Sequence, residues 1–135
     1  MPKSVIADSS ALVALLRYDD QHHRWLDALV DTLPKPWLTC EPALTETLYL
    51  VGPGGTPAIK EMLRRGALIL SFDLTAHLEP VLGLMDKYAD IPMSLADACL
   101  VRMTEILPDP LLVTIDEDFR IYRRHSRKVI PCLMP

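Results

Sequence analysis

Four acidic residues stand in two kinds of context that could bring their carboxylates together. Asp8 follows the short apolar run 4–7, and Asp116 follows the apolar run 111–115. Glu46 and Asp97 lie instead within apolar segments with helical spacing, where a carboxylate is costly to desolvate unless it is paired or binds a cation. Each of these residues alone could be a solvated carboxylate or a helix cap. Two carboxylates after apolar runs together with two inside apolar helical segments favour one shared site instead.

Clustered carboxylates predict a particular chemistry. Two carboxylates about 4 Å apart repel by about 4 kcal/mol at an effective dielectric of about 20, so a cluster needs a positive charge among its members. Oxygen-only ligands favour a hard cation such as Mg²⁺ or Mn²⁺, which binds substrate phosphate and activates a water molecule. The pattern therefore predicts metal-dependent phosphodiester hydrolysis, with Asp8, Glu46, Asp97 and Asp116 as metal ligands and catalytic residues.

The segments that must position these residues alternate between strands and helices. We predict strands at residues 4–7, 37–40, 67–72 and 111–115, and we expect the strand at 67–72 to be buried. A further strand at 128–133 is predicted to lie at an edge of the sheet, because Pro131 cannot donate to a ladder. Helices are predicted to begin near residues 9, 21, 42, 78 and 94, with Ser9 or Ser10 and then Ser94 as caps. A short helix is predicted around residues 59–63, after a loop at 52–57. Such alternation implies a parallel sheet covered by helices on both faces.

A parallel sheet would bring the two strand-end aspartates to one edge. Ligands of open parallel sheets sit beyond the carboxyl ends of the strands. We therefore expect Asp8 and Asp116 to emerge along the same edge.

Composition limits the classes of protein to consider. The chain has 135 residues, half of them hydrophobic, which fits one domain spanning residues 1–135. Its formal net charge of −4 means that binding of nucleic acid would need a metal or a local basic patch. The three cysteines are far apart in the sequence, which favours buried reduced thiols. No segment resembles a signal peptide or a membrane-spanning helix. We therefore expect a soluble, cytoplasmic protein.

The four carboxylates lie within segments that resemble a known family. Their order and spacing are similar to those of the PIN domain, and the likeness is nearest to the VapC-type toxins. It covers essentially the whole chain, and the Thr-x-Asp-x-Asp-Phe ending is its most specific part. The matching segments are Asp8-Ser9-Ser10-Ala11-Leu12, the helical Glu46, Ser94-Leu95-Ala96-Asp97-Ala98 and Thr114-Ile115-Asp116-Glu117-Asp118-Phe119.

This resemblance implies both a fold and an activity. The fold would be a three-layer α/β/α sandwich with a central parallel sheet. Mg²⁺ or Mn²⁺ would be bound by the four carboxylates, with Asp118 assisting through water and with Ser10 and Thr114 as supporting hydroxyls. The activity would be endonucleolytic cleavage of single-stranded RNA by the toxin of a toxin–antitoxin pair. The implied partners are RNA, a small antitoxin protein and a second copy of the chain, with no membrane.

Two features concern how RNA would be held. A basic run soon after Asp116 could receive the RNA backbone if it forms a short helix, and Arg120, Arg123 and Arg124 are its candidate contacts. The alternative is a solvated helix end whose cations favour the helix dipole. The glycine-rich segment at residues 52–55 departs from related toxins, which often continue there into a helical clip that contacts substrate or partner.

Two other functions compete with a nuclease. A PIN fold could serve only as a binding module that retains the acidic site. A signalling receiver domain also places carboxylates at strand ends around Mg²⁺, and Asp73 could be its phosphoacceptor. A receiver, however, needs an acidic pair after its first strand and a lysine after its last, and this chain has neither at the right place.

Overall fold

Five short parallel strands form the central sheet of the computed structural model, which describes residues 1–135. The strands are β1 (Ser4–Ala7), β2 (Trp37–Thr39), β3 (Leu68–Leu70), β4 (Pro110–Val113) and β7 (Cys132–Leu133), in the order β3-β2-β1-β4-β7. Strands β1 and β4 are in register from Ser4 opposite Pro110 to Ala7 opposite Val113. The predicted parallel sheet is therefore confirmed, and its two central strands end side by side.

Helices cover both faces of this sheet. They are α1 (Ser9–Leu16), α2 (His23–Val30), α3 (Glu41–Arg64), α4 (Leu78–Lys87) and α5 (Leu95–Ile106), with 3₁₀ turns at Thr75–His77 and Glu117–Arg120. Alternate strand residues point to opposite faces. Ile6 and Leu112 join a core with α4 and α5, whereas Val5 and Val113 join a second core with α1 and α2. The arrangement is the three-layer α/β/α sandwich expected from the sequence.

The glycine-rich segment is helical, and the predicted loop at residues 52–57 is wrong. Helix α3 runs through it with one kink at Gly52, whose φ of 64° and ψ of −168° are the only non-helical angles inside the helix. Pro53 follows the kink directly, where its missing N–H costs nothing because a new helix begins there. The Thr56 hydroxyl donates to the Gly52 carbonyl (2.8 Å), which gives that carbonyl a side-chain donor beside the kink.

Gly52 and Gly54 give opposite predictions for substitution by alanine. Gly52→Ala should destabilise the protein by about 1–3 kcal/mol, because its backbone angles lie in a region that only glycine adopts readily. Gly54→Ala should stabilise it by up to about 1 kcal/mol, since that position is helical and open. Urea denaturation of both variants measures this difference. Equal effects of the two substitutions would contradict the kink at Gly52.

Three other predicted elements are wrong in part. The strand predicted at residues 67–72 is shorter and lies at an edge of the sheet, where Ile69 and Leu70 are each 40% exposed instead of buried. The strand predicted at 128–133 is divided at Pro131 into β6 (Lys128–Val129) and β7, and only β7 forms the predicted sheet edge. The basic run could have formed a short helix, but only Arg120 lies in one, the 3₁₀ turn Glu117–Arg120, and β5 (Arg123–Arg124) pairs with β6 in an antiparallel hairpin.

All cysteines are free; Cys40 and Cys99 are buried as predicted, whereas Cys132 is only half-buried. No helix combines the length and the apolar character that crossing a membrane requires.

Candidate functional site

Asp8 is the most buried carboxylate of the candidate site. It follows β1 at the carboxyl edge of the sheet, and its backbone N–H donates to the carbonyl of Val113 at the end of β4 (3.1 Å). Its side chain caps helix α1 by accepting from the Ser9 N–H (2.7 Å), a role that the sequence assigned to a serine. The side chain of this residue is almost fully enclosed, with 3% of its surface exposed.

Two hydroxyl groups orient the other oxygen of Asp8. Ser10 Oγ and Thr114 Oγ1 donate to Asp8 Oδ2 at 2.9 and 2.7 Å. Thr114 also accepts from the Asp116 N–H (3.0 Å), and Ser10 accepts from the Ile115 N–H (3.1 Å). The strand-end segments 8–10 and 114–116 are therefore joined by a hydroxyl network around one carboxylate.

Glu46 joins this network through Ser9. It lies on α3, half-buried, and its Oε2 accepts from Ser9 Oγ at 2.9 Å. Because Ser9 also donates its N–H to Asp8, it connects the two carboxylates. Glu46 further lines a cavity of about 750 Å³ that also includes Phe72, Asp73 and Leu95.

Asp97 lies in the first turn of α5, where Ser94 is the N-cap, as predicted, and accepts from the Asp97 N–H (3.0 Å). Its Oδ2 accepts from the hydroxyl of Tyr122, a fully buried residue, at 3.0 Å. Burial, and then the charges of Asp8 and Asp116, raise the pKa of Asp97 to about 6, against the hydrogen bonds from Tyr122 and Ser94. This carboxyl therefore ionises at a higher pH than a free aspartate.

Asp116 and Asp118 begin the 3₁₀ turn that follows β4. Asp116 Oδ1 accepts from the Asp118 N–H (2.9 Å) and caps that turn. Both lie close enough to Tyr122 that their charges, after burial and the charge of Asp97, raise the pKa of its hydroxyl. The Tyr122 hydroxyl thus senses the charges of three carboxylates, of which Asp97 accepts its hydrogen bond.

Repulsion between carboxylates contributes to the electrostatics of the site. Burial raises the pKa of Asp8, the hydrogen bonds from Thr114, Ser10 and Ser9 oppose that rise, and the charge of Asp116 adds to it. None of the site carboxylates forms an ion pair, because the three ion pairs in the structure join Arg17 to Asp19, Arg102 to Glu105 and Arg120 to Glu117. The repulsion between the site carboxylates is therefore not offset by an ion pair with any cationic side chain.

The donor set has the chemistry of a site for a hard divalent cation. All its ligating atoms are carboxylate or hydroxyl oxygens, which Mg²⁺ and Mn²⁺ prefer, and it lacks the positive charge that such a cation would supply. As they stand, no three acidic, histidine or cysteine side chains converge closely enough to hold one ion.

The basic run follows Asp116 and Asp118 in the sequence, and part of it is hydrogen-bonded within the protein. The Arg123 guanidinium donates to the carbonyls of Arg120, Ile121 and Tyr122, and that of Arg124 donates to the Thr104 carbonyl. Arg120 is exposed and lies 3.9 Å from Glu117. Contact of Arg120, Arg123 and Arg124 with RNA stays a prediction.

Sequence reasoning missed two residues of the site. Ser9 was considered only as a helix cap, although the serine next to Asp8 was a visible signal. Tyr122 gave no signal, because it stands among basic residues outside every motif and reaches Asp97 only through the fold.

Comparison with known families accounts for most of the chain. No curated protein matches the sequence. The family model of the PIN domain, however, matches residues 5–124, which include the acidic residues described above. The chain therefore belongs to the PIN domain family, whose fold is generally that of a metal-dependent nuclease.

Proposed function

We propose that this protein is a metal-dependent endoribonuclease that hydrolyses phosphodiester bonds of single-stranded RNA. One observation carries the proposal: Asp8 is buried with only neutral hydrogen-bond donors around it, although the charge of Asp116 opposes its ionisation. A buried carboxylate without a cationic partner is costly, and a bound cation removes that cost. Membership of the PIN domain family supports the same conclusion.

The proposed ligands are Asp8, Glu46, Asp97 and Asp116, with Asp118 acting through water. Bound Mg²⁺ or Mn²⁺ would neutralise charge on the phosphate and lower the pKa of a water molecule. The protein's own part is to hold the carboxylates in place. Ser10 and Thr114 fix the orientation of Asp8, and Ser9 holds Glu46 beside it.

RNA would approach from the side on which Glu46 is exposed. The 750 Å³ cavity beside Glu46 has apolar walls, including Phe72 and Leu95, against which an unpaired base could pack. Unpaired bases are accessible in single strands, which is why we propose that substrate class. The hairpin β5–β6 adds exposed Arg127 and Lys128 to the proposed contacts Arg120, Arg123 and Arg124 as cations for the phosphates.

Cleavage of a circular single-stranded RNA tests the proposed activity. A circle has no ends, so an endonuclease converts it to a linear product that gel electrophoresis separates. We expect linear product in Mg²⁺ or Mn²⁺, and much less cleavage of an RNA duplex of the same sequence. A circle that is bound but never opened would instead favour the alternative of a PIN fold used only for binding.

Tyr122→Phe tests how the protein orients Asp97. The substitution removes the hydroxyl that donates to Asp97 Oδ2, so we expect kcat to fall by about 10-fold to 100-fold with little change in KM. The control is Tyr88→Phe, because that ring packs on Tyr122 (5.0 Å) but its hydroxyl accepts from the Arg123 N–H instead of bonding a site carboxylate. Equal losses of activity in the two variants would mean that the hydrogen bond from Tyr122 to Asp97 has no specific part in cleavage.

We propose a cytoplasmic toxin, with residues 1–135 forming one domain and with a small antitoxin protein and a second copy of the chain as partners. Its support is the similarity to VapC-type toxins in the Asp8, Asp97 and Asp116 segments. Apolar residues that protein partners could cover are exposed on α3, where Tyr49 is 86% and Leu50 is 48% exposed.

A further inference from the structure

The cavity beside Glu46 lies along the carboxyl edge of the sheet, next to the proposed metal site. Its wall includes Glu41, which comes soon after the end of β2, and Phe72 and Asp73, which come soon after the end of β3. In the strand order β3-β2-β1-β4-β7, these two strands lie on the side of β1 that is opposite β4. Because Glu46 belongs both to the proposed site and to the cavity wall, RNA whose phosphate reaches the metal would place a neighbouring nucleotide in this cavity.

The charges of the cavity wall disfavour a phosphate as its occupant. Three carboxylates line the cavity, those of Glu41, Glu46 and Asp73, whereas no lysine, arginine or histidine side chain does. Neither Glu41 nor Asp73 forms an ion pair. A phosphate group there would be repelled by these like charges, so the uncharged base is the part of a nucleotide that fits.

The size and the apolar part of the wall suit a base. Phe72 and Leu95 contribute apolar surface, and the imidazole of His77 stacks on the Phe72 ring with the ring centroids 5.3 Å apart. The volume of about 750 Å³ lies within the range of about 300–1,000 Å³ that is typical of small-molecule pockets. Proteins commonly read unpaired RNA bases by packing against the ring and by hydrogen bonds to the Watson–Crick edge.

The polar side chains of the wall are mostly hydrogen-bond acceptors. The hydroxyl of Thr45 already donates to the Glu41 carbonyl (3.0 Å), which leaves its oxygen to accept. Asp73 Oδ1 accepts from the Ala76 N–H (3.4 Å), and an ionised carboxylate can accept about four hydrogen bonds. Most of the accepting capacity of Asp73 therefore remains, and a base that binds beside it has to supply donors.

Guanine has the Watson–Crick edge that best supplies these donors. It carries N1–H and the N2 amino group side by side, so one carboxylate can accept from both. Adenine and cytosine place an acceptor next to their amino group, and uracil has a single N–H between two carbonyl oxygens. We propose, on the basis of the proposed RNA substrate, that this cavity is a subsite for a guanine base next to the scissile phosphate, with Asp73 accepting from N1–H and the N2 amino group.

Three short RNAs that differ in one base test this proposal. Each is a fluorescein-labelled strand of uridines with one central guanosine, inosine or uridine, and inosine keeps N1–H but lacks the amino group. In EDTA, fluorescence anisotropy should show that the wild-type protein binds the guanosine RNA about 5-fold to 150-fold more tightly than the uridine RNA, which is the range of one bidentate base contact. The inosine RNA should lie between them. In Mg²⁺, cleavage should occur at one fixed position relative to the guanosine.

Substitution of Asp73 tests the proposed hydrogen bonds. Asp73→Asn should remove most of the preference for guanosine over inosine, because an amide has one accepting oxygen and its N–H₂ group opposes a donor. Asp86→Asn is the matched control, since Asp86 is exposed on α4 and does not line the cavity, and it should keep the wild-type preference.

The outcomes separate base recognition from the proposed nuclease activity. Equal affinities for the three RNAs, or a preference that Asp73→Asn retains in full, would overturn the proposal even if RNA is cleaved. Tighter binding of the guanosine RNA that depends on Asp73 would support it even if no RNA is cleaved, and the proposed nuclease activity alone would then fail.

Discussion

Asp8→Asn should reduce RNA cleavage by about 10³-fold while leaving the fold intact. The substitution removes the charge of the carboxylate that stands at the centre of the hydroxyl network, with almost no change in shape. A loss of about 4 kcal/mol of transition-state stabilisation corresponds to that factor, and metal-assisted charge stabilisation is of this order. Cleavage of circular RNA under single-turnover conditions measures the rate.

The matched control for this substitution is Asp31→Asn. Asp31 is exposed at the end of α2 and far in sequence from every site residue, so its variant should cleave at the wild-type rate. Circular dichroism of both variants shows whether the fold is retained. A folded Asp8→Asn protein with wild-type activity would rule out Asp8 as a catalytic residue.

In the absence of divalent metal, Asp97→Asn should melt at a higher temperature than the wild type at pH 7. Burial and the charges of Asp8 and Asp116 raise the pKa of Asp97 from 3.8 to about 6, so ionisation of this carboxyl is harder in the folded than in the unfolded chain. Its destabilising effect is absent below about pH 4, grows as the pH rises to about 6 and is complete above that value. The difference in Tm between the two proteins should follow the same course with pH.

Metal should reverse that order of stabilities. A ligand that binds only the folded state at 100 times its Kd adds about 2.7 kcal/mol to the free energy of unfolding. Mn²⁺ should therefore raise the Tm of the wild type and raise that of Asp97→Asn much less. Scans of the wild type that coincide with and without Mn²⁺ would count against a metal site in this cluster.

The layout of the sheet could be predicted because its signals are local. Apolar runs such as 4–7 and 111–115 had the length and the composition of buried strands, and the intervening helical periodicity implied parallel connections. From there the meeting of Asp8 and residues 114–116 follows from the geometry of parallel strands. The position of these residues at one edge therefore needed no knowledge of the side-chain contacts.

The errors arose where one residue's backbone angles, or contacts that no local pattern records, overrule the local preference. A segment rich in glycine and proline favours a loop, but one residue at unusual angles, Gly52, absorbs the conflict and lets α3 continue to Arg64. The basic run favours a solvated helix, yet Arg123 and Arg124 bind backbone carbonyls and the chain forms a hairpin. Tyr122 reaches Asp97 across 25 positions of sequence, which no local pattern records.

Metal removal during RNA cleavage tests whether the carboxylates act through a bound cation. Circular single-stranded RNA is incubated with the wild-type protein in Mg²⁺, then with EDTA, then with Mn²⁺ in excess of the chelator. We predict that cleavage stops in EDTA and returns with Mn²⁺, and that Asp8→Asn stays inactive throughout. Cleavage that continues undiminished in EDTA would contradict the metal-dependent mechanism.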